Sequence, residues 1–108
     1  MAGRLADLRR RGRIRLDDIE ADAIAAALDG IEAAGVDLFG SRTDPGGRGG
    51  DIDLLILTTA APLEVARQVG CRFFARCEER LDVVVVHPER PTPAQRAFLE
   101  TLDRVPIV

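Results

Sequence analysis

Several residue types are missing from this 108-residue chain, and each absence removes a chemistry. All 15 basic residues are arginine, so no lysine exists for a Schiff base or a Walker-type phosphate loop. Tyr, Trp and Asn are absent, His87 is the only histidine and Ser41 the only serine. A Ser/His hydrolase would need Ser41 with His87, yet no G-x-S-x-G turn surrounds Ser41. Cys71, Cys77 and His87 match no common zinc spacing. No run approaches the ~20 apolar residues of a membrane span, and the opening MAGRLADLRRRGR lacks the apolar stretch of a secretory signal. These absences lead us to expect a soluble, cytoplasmic chain.

What is present suits one domain with one core. Hydrophobic residues make up 46% and charged residues 31%, a globular rather than a disordered balance. Net charge is −3, unevenly placed: residues 1–15 hold six arginines against Asp7 alone. This segment reads as an Arg-rich N-terminal arm, solvated and partly frayed, ahead of a domain over residues 16–108. It has no aromatic side chain to stack on bases, which argues against nucleic acid.

Periodicity predicts a helix from Asp17 to Ala34, with Ile19, Ala23, Ile24, Ala27, Leu28, Ile31 and Ala34 on one face. Asp17 and Glu20 form a capping-box pattern at its start, and Gly35 offers a left-handed stop. Val36–Phe39 reads as a short strand, followed by a loop with four glycines over 42–50. Asp51–Leu57 reads as an interior strand, buried on both faces after Asp53. A helix over 62–80 then carries Val65, Val69, Phe73 and Cys77 in a row. Cys71 and Cys77 on one helix are too far apart to bridge, which predicts free thiols. Leu81–Val86 is the surest strand, and His87-Pro88 ends it. Thr92-Pro93-Ala94-Gln95 opens a last helix, with Ala94, Phe98, Leu99 and Leu102 turned inward. The order predicts an α/β or α+β layer with helices packed on a small sheet.

Three carboxylates resist a purely structural explanation. Asp51 and Asp53 share one face of a strand, about 7 Å apart at Cα. Adjacent negative charges destabilise one another unless a cation lies between them. Asp82 repeats the pattern at the head of the next strand and joins the pair if the two strands are neighbours. The plain alternative is that all three cap strand ends in water. Hard oxygen ligands without His or Cys point to Mg²⁺, with Mn²⁺ as the alternative. Gly40-Ser41, where a strand ends and the chain turns, offers backbone N–H groups and a hydroxyl to phosphate. Arg42 or Arg48 would neutralise its charge.

Leu38-Phe39-Gly40-Ser41-Arg42 followed by Gly50-Asp51-Ile52-Asp53-Leu54-Leu55-Ile56 resembles the signature of the DNA polymerase β-like nucleotidyltransferases. The chain is most similar to the minimal nucleotidyltransferases (MNT) among them, over about residues 21–87. Its loop between the two motifs is slightly shorter than the family's usual one. The resemblance implies a nucleotidyltransferase fold with a small mixed sheet. It further implies that Asp51 and Asp53 bridge two Mg²⁺ ions and that Asp82 completes one metal site and helps activate the acceptor hydroxyl. Gly40 and Ser41 would then hold the β/γ-phosphates of ATP. With so little chain after His87, the acceptor must be held by another chain, in a homo- or hetero-oligomer. Many MNT proteins are antitoxins that add AMP to a tyrosine of an HEPN-type toxin, and that is the activity the resemblance implies here. The competing expectation is a non-catalytic antitoxin that neutralises its partner by occlusion. A small-molecule nucleotidyltransferase is a third, disfavoured by the lack of a second domain.

Overall fold

Two capping boxes start helices where the sequence places them. The Asp17 carboxylate accepts the Glu20 N–H at 2.7 Å, and the Glu20 carboxylate accepts the Asp17 N–H at 2.9 Å. Thr92 and Gln95 repeat the exchange at 3.1 and 2.9 Å. Each box satisfies backbone donors that a helix start otherwise leaves open.

The structure is a computed structural model that describes residues 2–108. Its elements are helices α1 (Ala2–Arg10), α2 (Asp18–Leu28), α3 (Pro62–Phe74) and α4 (Pro93–Thr101), and strands β1 (Gly35–Phe39), β2 (Ile52–Leu57), β3 (Leu81–Val86) and β4 (Arg104–Pro106). A 3-10 turn over Gly40–Thr43 follows β1 directly. The strands form one mixed sheet in the order β3-β2-β1-β4, with β2 and β3 parallel and the other pairs antiparallel. This is the expected small α+β layer. No helix among the described residues is long and apolar enough to cross a membrane.

Alternation along the strands divides the core. Val36, Leu38, Ile52, Leu54 and Ile56 face inward onto α1, α2 and α3. Phe39, Leu55 and Val86 face the other way, with Leu57, Val84, Leu99 and Leu102 packed around them. As expected, β2 is interior and almost wholly buried. The face toward α4 is lightly covered, since α4 buries none of its own residues.

Five expectations need correction. Residues 1–15 are no frayed arm over their described part: α1 docks, and Leu5, Leu8 and Ile14 enter the core. Arg9 ties the segment down through the Leu16 carbonyl (2.9 Å) and Asp18 (2.6 Å). Helix α2 stops at Leu28 because Gly30 takes the left-handed turn (φ +75°), while Gly35 begins β1. Ile19 points to solvent, since five residues before Ile24 it lies well round the helix from the buried stripe. Helix α3 ends at Phe74, so Cys77 reaches the core from the following turn; Cys71 is exposed, and both thiols are free as expected. Finally, α4 turns only Leu99 and Leu102 inward, leaving Ala94 exposed and Phe98 edge-on to Phe39 at 5.7 Å.

Strand β4 has no counterpart in the sequence reading. It pairs with β1, and Ile107 just beyond it is fully buried, its N–H donating to the Val36 carbonyl at 2.9 Å.

Candidate functional site

The antiparallel pairing of β1 with β2 returns the chain over the end of β1. Phe39 pairs with Asp53, and the 3-10 turn at Gly40 therefore sits directly above the start of β2. The parallel register of β2 with β3 sets Asp53 opposite Asp82. Partners across a ladder project to one face, so the two carboxylates lie side by side.

Their mutual proximity is chemical as well as topological. Burial, then the Asp82 charge, a hydrogen bond with Asp82 and the Asp51 charge all raise the Asp53 carboxyl above the usual aspartate range. Among the described residues no ion pair reaches Asp51, Asp53 or Asp82. The carboxylates thus have no protein cation to offset them, which is the arrangement a hard divalent ion would relieve. Asp51 differs from expectation. It lies one residue before β2, and no three acidic, His or Cys side chains of the described residues converge closely enough to enclose an ion. Asp53 and Asp82 meet directly, whereas Asp51 acts on Asp53 through its charge alone.

Two glycines hold the turn against the carboxylate. Gly40 (φ +76°) is so near Asp53 that a Cβ there would overlap its Oδ2, and Gly50 (φ +87°) stands likewise against the Ser41 hydroxyl. Both need glycine for conformation and for space. Ser41 is exposed, and its carbonyl accepts from Arg15 at 3.1 Å. The opening N–H groups of such a turn have no partner within it, so the turn can receive an anion.

Arg42 does not serve the cradle as expected. It is 4% exposed and forms a bidentate pair with Glu20, both contacts at 2.8 Å. It also donates to the carbonyls of Gly50 and Arg15, each at 3.1 Å. These bonds pin both ends of the glycine loop to α2. Burial raises the Glu20 carboxyl, but Arg42 and the Asp17 N–H outweigh it and the net shift is down; Glu20 in turn holds Arg42 up. Glu20 was legible as a capping residue, and nothing in the spacing marked its second role. Arg48 stays exposed in the loop.

His87 ends its strand, as its position suggests. Its Nδ1 accepts the N–H groups of Glu89 and Arg90, both at 3.1 Å. A cleft of about 330 Å³ lies past the other end of β2, lined by Glu32, Thr58, Thr59 and Glu89 among others. The Thr58 hydroxyl there is already engaged by the Glu32 carbonyl and the Ala60 N–H, and none of the carboxylates above borders the cleft. The cleft therefore lies apart from the carboxylates, and we place the candidate site at Asp53 and Asp82. No protein-family model matches the chain, and no curated protein matches it.

Proposed function

We propose that the chain is a divalent-metal-dependent nucleotidyltransferase of the minimal kind, moving AMP from ATP to a hydroxyl of a partner protein. The observation that carries this is the in-register pair Asp53–Asp82, which no ion pair among the described residues reaches, beneath a glycine turn. Asp53 and Asp82, flanked by Asp51, would hold Mg²⁺ or Mn²⁺, two ions in the MNT pattern. Bound there, such ions neutralise phosphate charge and lower the pKa of the acceptor hydroxyl.

The chain's own groups position the rest. Gly40 lets the backbone approach the β/γ-phosphates, and Ser41 adds a hydroxyl donor. The acceptor oxygen attacks the α-phosphorus as the bond to the bridging oxygen breaks, so pyrophosphate leaves. The acceptor proton passes to a carboxylate of the pair. The acceptor comes from a partner, for which an HEPN-type toxin fits the MNT resemblance; this chain offers no tyrosine of its own. Free Cys71 and Cys77 suit a reducing, cytoplasmic compartment.

One observation favours a second reading, in which the chain neutralises its partner by occlusion alone: among the described residues no three His, Cys, Asp or Glu side chains group closely enough to enclose a metal ion. Incubation of an HEPN-type toxin with the chain, Mg²⁺ and ATP labelled in its α-phosphate separates the two. Transfer predicts label on the toxin, lost with Asp53→Ala. Occlusion predicts no label and undiminished neutralisation by Asp53→Ala.

A further inference from the structure

One row of side chains crosses the sheet at the level of the candidate site. The registers Arg104↔Phe39, Phe39↔Asp53 and Asp53↔Asp82 set these four residues abreast on β4, β1, β2 and β3. Strands lie about 4.8 Å apart, so Arg104 is about 10 Å from Asp53 along the row, with the Phe39 ring between and Phe98 edge-on against that ring. Among the described residues Arg104 is the one basic side chain that the strands place on this face.

Arg104 is turned away from the carboxylate pair. Its Nη1 lies 3.4 Å from Oδ2 of Asp37, a longer contact than the 2.7–2.9 Å or so of a well-formed charge-assisted hydrogen bond. The Asp37 side chain is 11% exposed and the Arg104 side chain 35%. A nearly buried carboxylate with a single loose counterion gives the fold little, since apolar side chains of similar volume usually serve as well or better. Asp37 belongs to neither the capping boxes nor the Gly-Ser and Asp-x-Asp motifs. The Arg104 side chain is itself about a third exposed, whereas Phe98 and Leu99 of α4 lie over its row neighbour Phe39.

We propose that Arg104 is the cation that grips the terminal phosphates of the nucleoside triphosphate, and that Asp37 holds its guanidinium in reserve until the nucleotide arrives. This rests on the nucleotidyltransferase reading above. The Gly40–Ser41 turn follows Phe39, the register partner of Arg104, and contacts β4. Of the other arginines near that turn, Arg42 is spent on Glu20 and Arg15 on the carbonyls of Ser41 and Asp44, while Arg48 stands exposed in the glycine loop, off the row that joins Arg104 to the carboxylates. A polyphosphate offers the planar guanidinium two-oxygen contacts in place of one loose contact to Asp37. Asp37 and the nucleotide thus compete for one side chain.

Competition gives the two residues effects of opposite sign. The full chain is titrated with ATP and with AMP in Mg²⁺. Asp37→Asn frees the guanidinium and is expected to tighten ATP binding about threefold or more. Arg104→Gln would leave Asp37 buried and unpaired, so it is made in the Asp37→Asn background, where it is expected to weaken ATP binding about tenfold. AMP, lacking the terminal phosphates, should respond to neither, and Arg104→Lys should keep part of the ATP affinity. The inference is overturned if Asp37→Asn leaves ATP affinity unchanged or weakens it, or if Arg104→Gln in that background changes nothing. An unmutated chain that binds no ATP in Mg²⁺ overturns the nucleotidyltransferase reading and the inference with it.

Discussion

Gly40 and Asp53 lie so close that a methyl group on the glycine would clash with the aspartate's Oδ2. The turn that would cradle phosphate and the carboxylate that would face metal are therefore one packed unit. Gly40 also has a positive φ, as do Gly12 and Gly30, which have open space where a Cβ would go. Alanine at Gly12 or Gly30 should cost about 1–2 kcal/mol from backbone conformation alone. Gly40→Ala should cost more, because Asp53 or the turn must also shift. Urea midpoints of the three variants check this; equal losses at all three positions would mean that the close approach has no weight.

Asp53 carries the clearest electrostatic signature. Its folded pKa is raised, so ionisation opposes folding at pH values above that pKa, and the opposition fades as pH falls through it. Asp53→Asn should consequently raise the melting temperature at neutral pH in the absence of divalent ions. Mg²⁺ should stabilise the unmutated chain and leave the variant little changed. Thermal melts with EDTA and with Mg²⁺ test both halves; a lower Tm for Asp53→Asn in EDTA would show that the carboxylate is a structural asset.

The Glu20–Arg42 pair works in the opposite sense. Glu20 has a lowered pKa, so its contribution is present above the ordinary glutamate range and lost as pH falls through the folded value. With both side chains about 5% exposed, removing one partner strands a buried charge. Arg42→Ala should destabilise by about 3–5 kcal/mol and loosen the loop over 42–50. Denaturant melts from neutral to acid pH read the magnitude and the sign; a mild loss with ATP binding abolished would instead return Arg42 to the phosphate.

Much of the site was legible because strand chemistry is local. Asp53 before an apolar run, and Asp82 before four valines, announce strand heads, and a parallel register then forces them together. Gly-Ser and Asp-x-Asp marked the turn and its neighbour. What escaped depended on contacts across the fold. The expectation that Arg42 faces phosphate failed because Glu20, 22 residues away, already explained itself as a cap. Arg104 and Asp37 could not be joined without β4, a three-residue strand too short to show alternation. Helix α1 was hidden by its arginines, although Leu5 and Leu8 stand at i, i+3.

That helix yields a direct check. If α1 is part of the core, Leu5→Ala or Leu8→Ala should each cost about 2–5 kcal/mol. A solvated arm would tolerate both without change in the urea midpoint.

The shortest route to the central claim is calorimetric titration of the chain with ATP, with Mg²⁺ and with EDTA, for the unmutated protein and for Asp53→Asn. A site built from Asp53, Asp82 and the Gly40 turn predicts binding that requires Mg²⁺ and is lost in the variant. Binding of equal strength with EDTA, or equal in Asp53→Asn, would contradict it.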